Sequence, residues 1–317
     1  MEMKVLIYFG TRPEIIKCWP VYNELRKANH QVYLYFTDQH SLKEMKDDIF
    51  NDFRYCETDF VEAPNPNVDL VLVQGDTWSV LEGSLFALKH NLKLGHIEAG
   101  IRSFDPFMIE ERIRKMVDYV SDYLFCPTKI AFNNLNVTGS KYIVGNTIAD
   151  LLIDKKRNKD RRYILVTLHR PETVDKPEVL RETIKGIEAI AQMMGNPVYF
   201  YCHPRTNDKD CGALVKLNPI PYKQMIDKIR GAKLVITDSG GLQEECSILG
   251  IPCLTVRKTT ERPETIEAGV NELAYNDNKL MIEKAIDLLS RNIEPVSLYG
   301  DGDAGEKIVR ILEREIS

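Results

Sequence analysis

The sequence has no apolar run near the roughly 18 residues that a membrane-spanning helix needs, no Cys-x-x-Cys pair and no surplus of positive charge. The first absence argues against a membrane-spanning helix. The seven cysteines, at 18, 56, 126, 202, 211, 246 and 253, are odd in number, and most lie inside apolar stretches such as YLFCPT and IPCLTV. Free buried thiols are therefore expected, with neither a disulfide framework nor a metal site. A net charge of -5 gives no broad electrostatic reason to expect nucleic acid as a partner. Internal repeats and low-complexity tracts are missing too. An apolar fraction of 44% against 28% charged residues belongs to a globular chain and excludes disorder. The opening MEMKVLIYFG runs into a strand pattern without a signal-peptide cleavage site, so a cytoplasmic location is expected.

What the sequence does contain is alternation. Short apolar runs (MKVLIYFG, HQVYLYFT, VDLVLVQG, LKLGHIEAG and DYLFCPT, then YILVTLH, NPVYFYCH, AKLVITDSG and PCLTV) have the continuous apolar character of strands buried on both faces. Helical stretches such as RPEIIKCWPVYNELRKAN and KPEVLRETIKGIEAIAQMM between them are long enough to cross from one parallel strand to the next. A chain of 317 residues exceeds one ordinary core. The expected fold is α/β, with two Rossmann-like, doubly wound domains facing across a cleft. The charged stretch DKKRNKDRR, Asp154 to Arg162, reads as the linker. The expected division is an N-terminal domain over 1–154, a nucleotide-binding domain over 155–290, and a helical segment over 291–317 packing back on the first domain.

Polar residues collect where the strands end. FGTRPE, QGDT, HIEAGIR, TLHR, YCHPR and TDSGG each follow a strand, the place where open α/β sheets bind ligands. In TDSGGLQEE a Gly-Gly turn admits close backbone approach, and the helix that follows offers its positive end to an anion. Ser239, Gly240 and Gly241 thus read as a phosphate cradle, or more simply as an N-cap and a turn. Glu245, one turn on, can accept hydrogen bonds from a ribose. Arg12 and Lys17 near the first helix, and Arg257 and Arg262 after a later strand, suit phosphate oxygens, although surface ion pairs are the commoner fate of arginine. Asp76, Glu98 and Glu110 are candidate proton donors and acceptors that would raise one another's pKa if crowded together. His169 and His203 end strands of the second half, where a structural role is the alternative.

Together these blocks resemble the non-hydrolysing UDP-N-acetylglucosamine 2-epimerase family. FGTRPEIIK, TDQH, GDT, HIEAGIRS, IEERIR with Asp118 after it, CPT, VGNTIAD, LVTLHR, ITDSGGLQEE, TTERPE and YGDGDAGEKI occur in family order from end to end. The resemblance implies a glycosyltransferase-B type fold and a homodimer. It implies loss of the C2 proton of a UDP-sugar as UDP leaves C1, then re-addition of UDP to the glycal, with no cofactor. It assigns acid/base work to Asp76, Glu98 and Glu110, support to Lys17, and help for the leaving diphosphate to His169. It assigns phosphate binding to Arg12, Ser239, Gly240, Gly241 and Arg262, and the ribose to Glu245. A hydrolysing relative and a sugar transferase on the same fold stand as alternatives. Departures lie at Gln74 and Trp78 in QGDTWSV, Ile113 in IEERIR, and Pro171 in HRPET. Gln39 and His40 persist while Ser41 and Leu42 do not match, and the segment that follows is short. An activator site of the kind found in bacterial relatives is therefore expected to be lost or altered.

Overall fold

The computed structural model describes residues 2–37, 52–155, 157–158, 160, 162–206 and 209–316. The chain divides into two compact units, one formed by Met1–Ile153 with Tyr299–Ser317 and the other by Asp154–Leu298.

In unit one, β1 (Lys4–Phe9), β2 (Gln31–Phe36), β3 (Phe60–Val61), β4 (Leu70–Gln74), β5 (Lys93–Ile97), β6 (Tyr123–Cys126) and β7 (Ser140–Ile143) pair in parallel in the order β3-β2-β1-β4-β5-β6-β7. The two central strands, KVLIYF and LVLVQ, are buried on both faces, which is why their sequences are apolar without alternation. Crossovers run through α1 (Arg12–Lys27), α2 (Trp78–Lys89), α3 (Ile109–Val120) and α4 (Lys129–Asn134), and α5 (Thr147–Leu152) follows the last strand. From β1 the chain winds toward one edge and from β4 toward the other, so the turns after β1 and β4 meet at the switch point of the sheet.

Unit two repeats the plan. β8 (Tyr163–Thr167), β9 (Val198–Tyr201), β10 (Lys216–Leu217), β11 (Ala232–Thr237), β12 (Cys253–Thr255) and β13 (Asn271–Leu273) form a parallel sheet in the order β10-β9-β8-β11-β12-β13, with its switch point between β8 and β11. Its helices are α6 (Pro171–Val174), α7 (Pro177–Met194), α8 (Tyr222–Gly231), α9 (Gly240–Leu249), α10 (Pro263–Glu267) and α11 (Asn278–Ser290). The nine strands expected from apolar runs are present. The four the runs did not show, β3, β7, β10 and β13, are the outermost strands of the two sheets and only two to four residues long. An edge strand buries too little to leave an apolar run, as the half-exposed SKYI of β7 shows.

The chain returns to unit one through α12 (Ala304–Ile316), which packs on α1. Gly305 makes that approach possible, because a Cβ there would lie 2.8 Å from the backbone carbon of Pro20. Asp150 in the first turn of α5 caps α12, accepting from the amides of Ala304 at 3.0 Å and Gly305 at 2.8 Å. Ile308 and Leu312 complete the contact as fully buried side chains. Asp150→Ala is expected to cost about 1–2 kcal/mol through loss of this cap, measurable by urea unfolding.

Candidate active site

The switch point of unit one gathers most of the polar residues picked out in the first half of the sequence. Glu98 follows β5 with a left-handed backbone, φ +68°, which non-glycine residues adopt rarely and mainly where surrounding contacts enforce it. Its buried carboxylate accepts through Oε1 from Lys17 Nζ at 2.5 Å and Asn146 Nδ2 at 2.8 Å, and through Oε2 from Gln74 Nε2. Gln74, read in the sequence only as a departure, is therefore a ligand of the central acid. Asp76, in the turn after β4, accepts from Arg114 Nε at 2.8 Å. Arg114 also donates to Glu111 Oε2 at 3.1 Å, and the same oxygen accepts from the amide of Ser103 at 2.8 Å. Glu110 sits half-buried in the first turn of α3, one residue before the carboxylate that Arg114 grips.

Behind this layer, His96 Nδ1 lies 2.7 Å from Asp118 Oδ1 and Nε2 lies 2.8 Å from the carbonyl oxygen of Gly75, the residue before Asp76. Arg102 Nη2 stands 2.6 Å from Asp118 Oδ2. Burial by itself would push the Asp118 carboxyl up, but the facing His96 and Arg102 outweigh it and hold the carboxyl below its usual range.

An acid at this switch point that burial does push up is one the sequence reading passed over. Glu14, fully inside the first turn of α1, is raised to about 7 because its desolvation exceeds the effect of its hydrogen bonds. Its Oε2 accepts from the amides of Gly10 at 2.7 Å and Thr11 at 2.9 Å, and its Oε1 from Thr77 Oγ1. The spacing Thr11-Arg12-Pro13-Glu14 is a capping box, which was the signal available in the sequence. Arg12 is the first residue of that helix and half-buried.

In unit two the switch point is closed by Asp238, another residue not singled out. Its buried carboxylate accepts from the amide of His169 at 3.0 Å and that of Arg170 at 2.9 Å, and Oδ1 lies 2.9 Å from His169 Nδ1. Burial opposes the charge, yet the His169 contacts keep the Asp238 carboxyl below the usual range. His203 lies beside His169 with ring centroids 5.5 Å apart and the rings tilted by 44°. Ser239 occupies the N-cap of α9 but makes no side-chain cap bond. Among the described residues, a Cβ at Gly240 would meet nothing within 4 Å, and one at Gly241 only Ser239 Oγ at 3.9 Å. Neither glycine has a positive φ. Packing and backbone conformation therefore do not demand the glycines, which leave room for something to approach the helix end.

The remaining cations of unit two are held by carboxylates. Arg257, fully buried, contacts Glu261 Oε2 at 2.5 Å and Glu172 Oε1 at 3.2 Å. Arg262 pairs with Glu244, the acid before Glu245, and donates to the carbonyl of Glu261 at 3.3 Å. Glu245 is buried in the same helix. Gln39, His40, Ser41 and Leu42, the residues on which the expectation about an activator rested, lie outside the described residues.

Two parallel sheets with acids, a Gly-Gly helix end and cations at their switch points define an α/β protein of the glycosyltransferase-B type. A family model described as UDP-N-acetylglucosamine 2-epimerase matches residues 58–313. The chain is 36% identical to the UDP-N-acetylglucosamine 2-epimerase of Methanocaldococcus jannaschii, across 98% of this chain and 99% of that one. It is 31% identical to a UDP-2,3-diacetamido-2,3-dideoxy-D-glucuronate 2-epimerase of Pseudomonas aeruginosa, over 98% of this chain and 100% of that protein. The crystal structure of the M. jannaschii UDP-GlcNAc 2-epimerase in complex with UDP-GlcNAc and UDP superposes with a TM-score of 0.88 at 34% identity, covering 98% of this chain and 100% of the other. The chain belongs to the UDP-N-acetylglucosamine 2-epimerase family and is an epimerase. The M. jannaschii alignment runs over 370 positions against a chain of 317 residues, so that relative carries stretches this chain lacks.

Asp118→Asn is expected to destabilise the protein by about 3 kcal/mol at pH 7, because it leaves Arg102 and His96 facing a neutral amide in the core. A carboxyl depressed in the folded state stabilises above its ordinary pKa, near about 4, and that contribution is lost as pH falls through the folded value. The gap between wild type and variant in thermal unfolding should accordingly narrow below about pH 4.

Proposed function

We propose that this protein interconverts UDP-N-acetylglucosamine and UDP-N-acetylmannosamine, or a close UDP-sugar, without releasing the free sugar. The observation that carries this reading is the uncapped start of α9 in unit two, with two glycines that packing does not require, together with Asp76 and Glu98 each paired with a cation at the strand ends of unit one. The names of the relatives supply the substrate class.

In this mechanism a carboxylate of unit one takes the proton from C2. The electron pair of that C–H bond forms the C1=C2 bond of a glycal as the C1–O bond breaks, and its pair leaves with UDP. Protonation of C2 on the opposite face and re-addition of UDP at C1 complete the exchange. The C2 proton is weakly acidic, so its loss must accompany departure of a stabilised anion. The amides at the start of α9, with Arg12 and Arg262, would meet the diphosphate, and Glu245 the ribose. His169, oriented by Asp238, would meet the developing charge on the leaving oxygen. Asp76, Glu98 and Glu110 would share the proton transfers, with Lys17 holding Glu98 in place.

The experiment is proton NMR of UDP-N-acetylglucosamine with the enzyme in deuterated water. Deuterium at C2 together with UDP-N-acetylmannosamine is expected, and Asp76→Asn should reduce the rate by at least about 10² while UDP still binds by titration calorimetry. Release of N-acetylmannosamine and UDP would establish a hydrolysing enzyme instead, and no exchange with any UDP-sugar would sink the reading.

We also propose a homodimer formed through α2 and α3. These helices pack side by side in unit one. Trp78, Leu85 and Leu88 lie exposed along one, and Ile109, Met116 and Tyr119 along the other. Phe107, in the loop before α3, is 88% exposed. So much apolar surface on two neighbouring helices suits a second copy of the chain better than water. Sedimentation should show a dimer, and Leu85→Glu with Met116→Glu should give a folded monomer; an unchanged mass for the double variant would remove this face from the interface.

A further inference from the structure

Glu14 is more than half of a capping box. The box needs one carboxylate oxygen on the amide of Thr11, and an exposed glutamate or glutamine supplies that in ordinary helices. Here that oxygen takes the Gly10 amide as well, and the second oxygen reaches the hydroxyl of Thr77 in a different strand-end turn. Thr77 is itself the N-cap of α2, yet its side chain makes no cap bond to its own helix. A residue well suited to stabilise its helix instead points its hydroxyl across the switch point. The carboxylate between the two turns is 2% exposed, and its partners among the described residues are amides and hydroxyls. Burying a carboxyl on such terms is costly for a mere cap, which a serine or glutamine would provide at the surface. The two turns it joins are the ones carrying Arg12 and Asp76.

We propose that Glu14 is a positioning residue, clamping the turn after β1 to the turn after β4 so that Asp76 is fixed relative to Arg12 during proton transfer at the sugar. The inference rests on the proposed epimerase reaction. Glu14 touches no reacting atom in this scheme; it acts through Thr77 on the backbone of Gly75-Asp76-Thr77 from one side, as His96 does through the Gly75 carbonyl from the other. The clamp depends on acceptor geometry, so glutamine can replace it in part: its Oε can accept from the amides while its Nε donates to the Thr77 hydroxyl.

The test measures kcat and KM for UDP-N-acetylglucosamine epimerisation in wild type, Glu14→Ala, Glu14→Gln, Thr77→Val and the Glu14→Ala/Thr77→Val double variant. A displaced Asp76 should lower kcat by up to about 10²-fold in Glu14→Ala with KM changed by less than about 3-fold, because misplacement of a catalytic group acts on the chemical step. Glu14→Gln should recover most of that loss, and the double variant should be no slower than the slower single one, since both remove the same clamp. Losses that multiply in the double variant, an effect confined to KM, or activity within about 2-fold of wild type in Glu14→Ala and Thr77→Val would overturn the proposal. If Glu14→Ala does not fold, the near-isosteric Glu14→Gln and Thr77→Val decide the matter: Thr77→Val must slow kcat, and Glu14→Gln must stay faster than it. Wild-type protein that shows no exchange at C2 defeats the reaction itself and with it this role, an outcome seen before any variant is made. Exchange by wild type with indifferent variants defeats the clamp alone.

Discussion

Each sheet of this protein depends on a buried carboxylate that joins two turns at its switch point. A doubly wound sheet splits there, because the chain leaves the two central strands toward opposite edges and no ladder hydrogen bond holds their ends together beyond the strands. Glu14 in unit one and Asp238 in unit two fill that gap by accepting from backbone amides on one turn and from a side chain on the other or on the same one. The two acids reach opposite ionisation preferences by the same competition. Among the described residues the donors Glu14 meets are neutral amides and hydroxyls, so desolvation wins and its carboxyl is pushed up to about 7. Asp238 meets His169 as well as amides, and its carboxyl stays low despite equal burial.

The polar residues at the strand ends are arranged in layers around these joints. In unit one Asp76 and Glu98 each face a cation, Arg114 and Lys17, and Arg114 is held in turn by Glu111. In unit two Arg257 and Arg262 sit among Glu172, Glu244 and Glu261. Glu172 belongs to the HRPET stretch that departs from the family pattern, and the structure shows what its carboxylate does there: it shares a buried guanidinium with Glu261. Charges arranged in alternation hold these loops at a strand end, with Arg257 and Arg262 each facing carboxylates.

Much of this was legible in the sequence, for identifiable reasons. Strands buried on both faces leave long apolar runs, so the nine inner strands could be read directly, whereas the short outermost strands could not. The two longest crossovers came out close to their observed ends because Pro lies in the first turn of both α1 and α7 and a left-handed Gly195 ends the second. The candidate site residues were picked out by their place after strands, which marks position but not partners. Pairing was not legible: Gln74 on Glu98, Glu111 on Arg114 and Asp238 on His169 depend on side chains from distant segments. Nor does any sequence signal disclose that Glu98 would adopt a left-handed backbone. Glu14 was the exception, since its capping-box spacing was in plain view and only its second oxygen was hidden.

The docking of α12 has a consequence for synthesis. Unit two is one continuous stretch of chain, but unit one takes its first 153 residues from the start of the chain and its last helix from the end. On the ribosome, the half that begins first is therefore the half that finishes last. The surface of α1 around Pro20 stays uncovered while all of unit two is made, until the helix bearing Gly305 follows and meets the Asp150 carboxylate that caps it. A nascent chain of this protein thus passes through a stage in which the sheet of unit two is complete while unit one, its own sheet already made, still lacks the helix that covers α1.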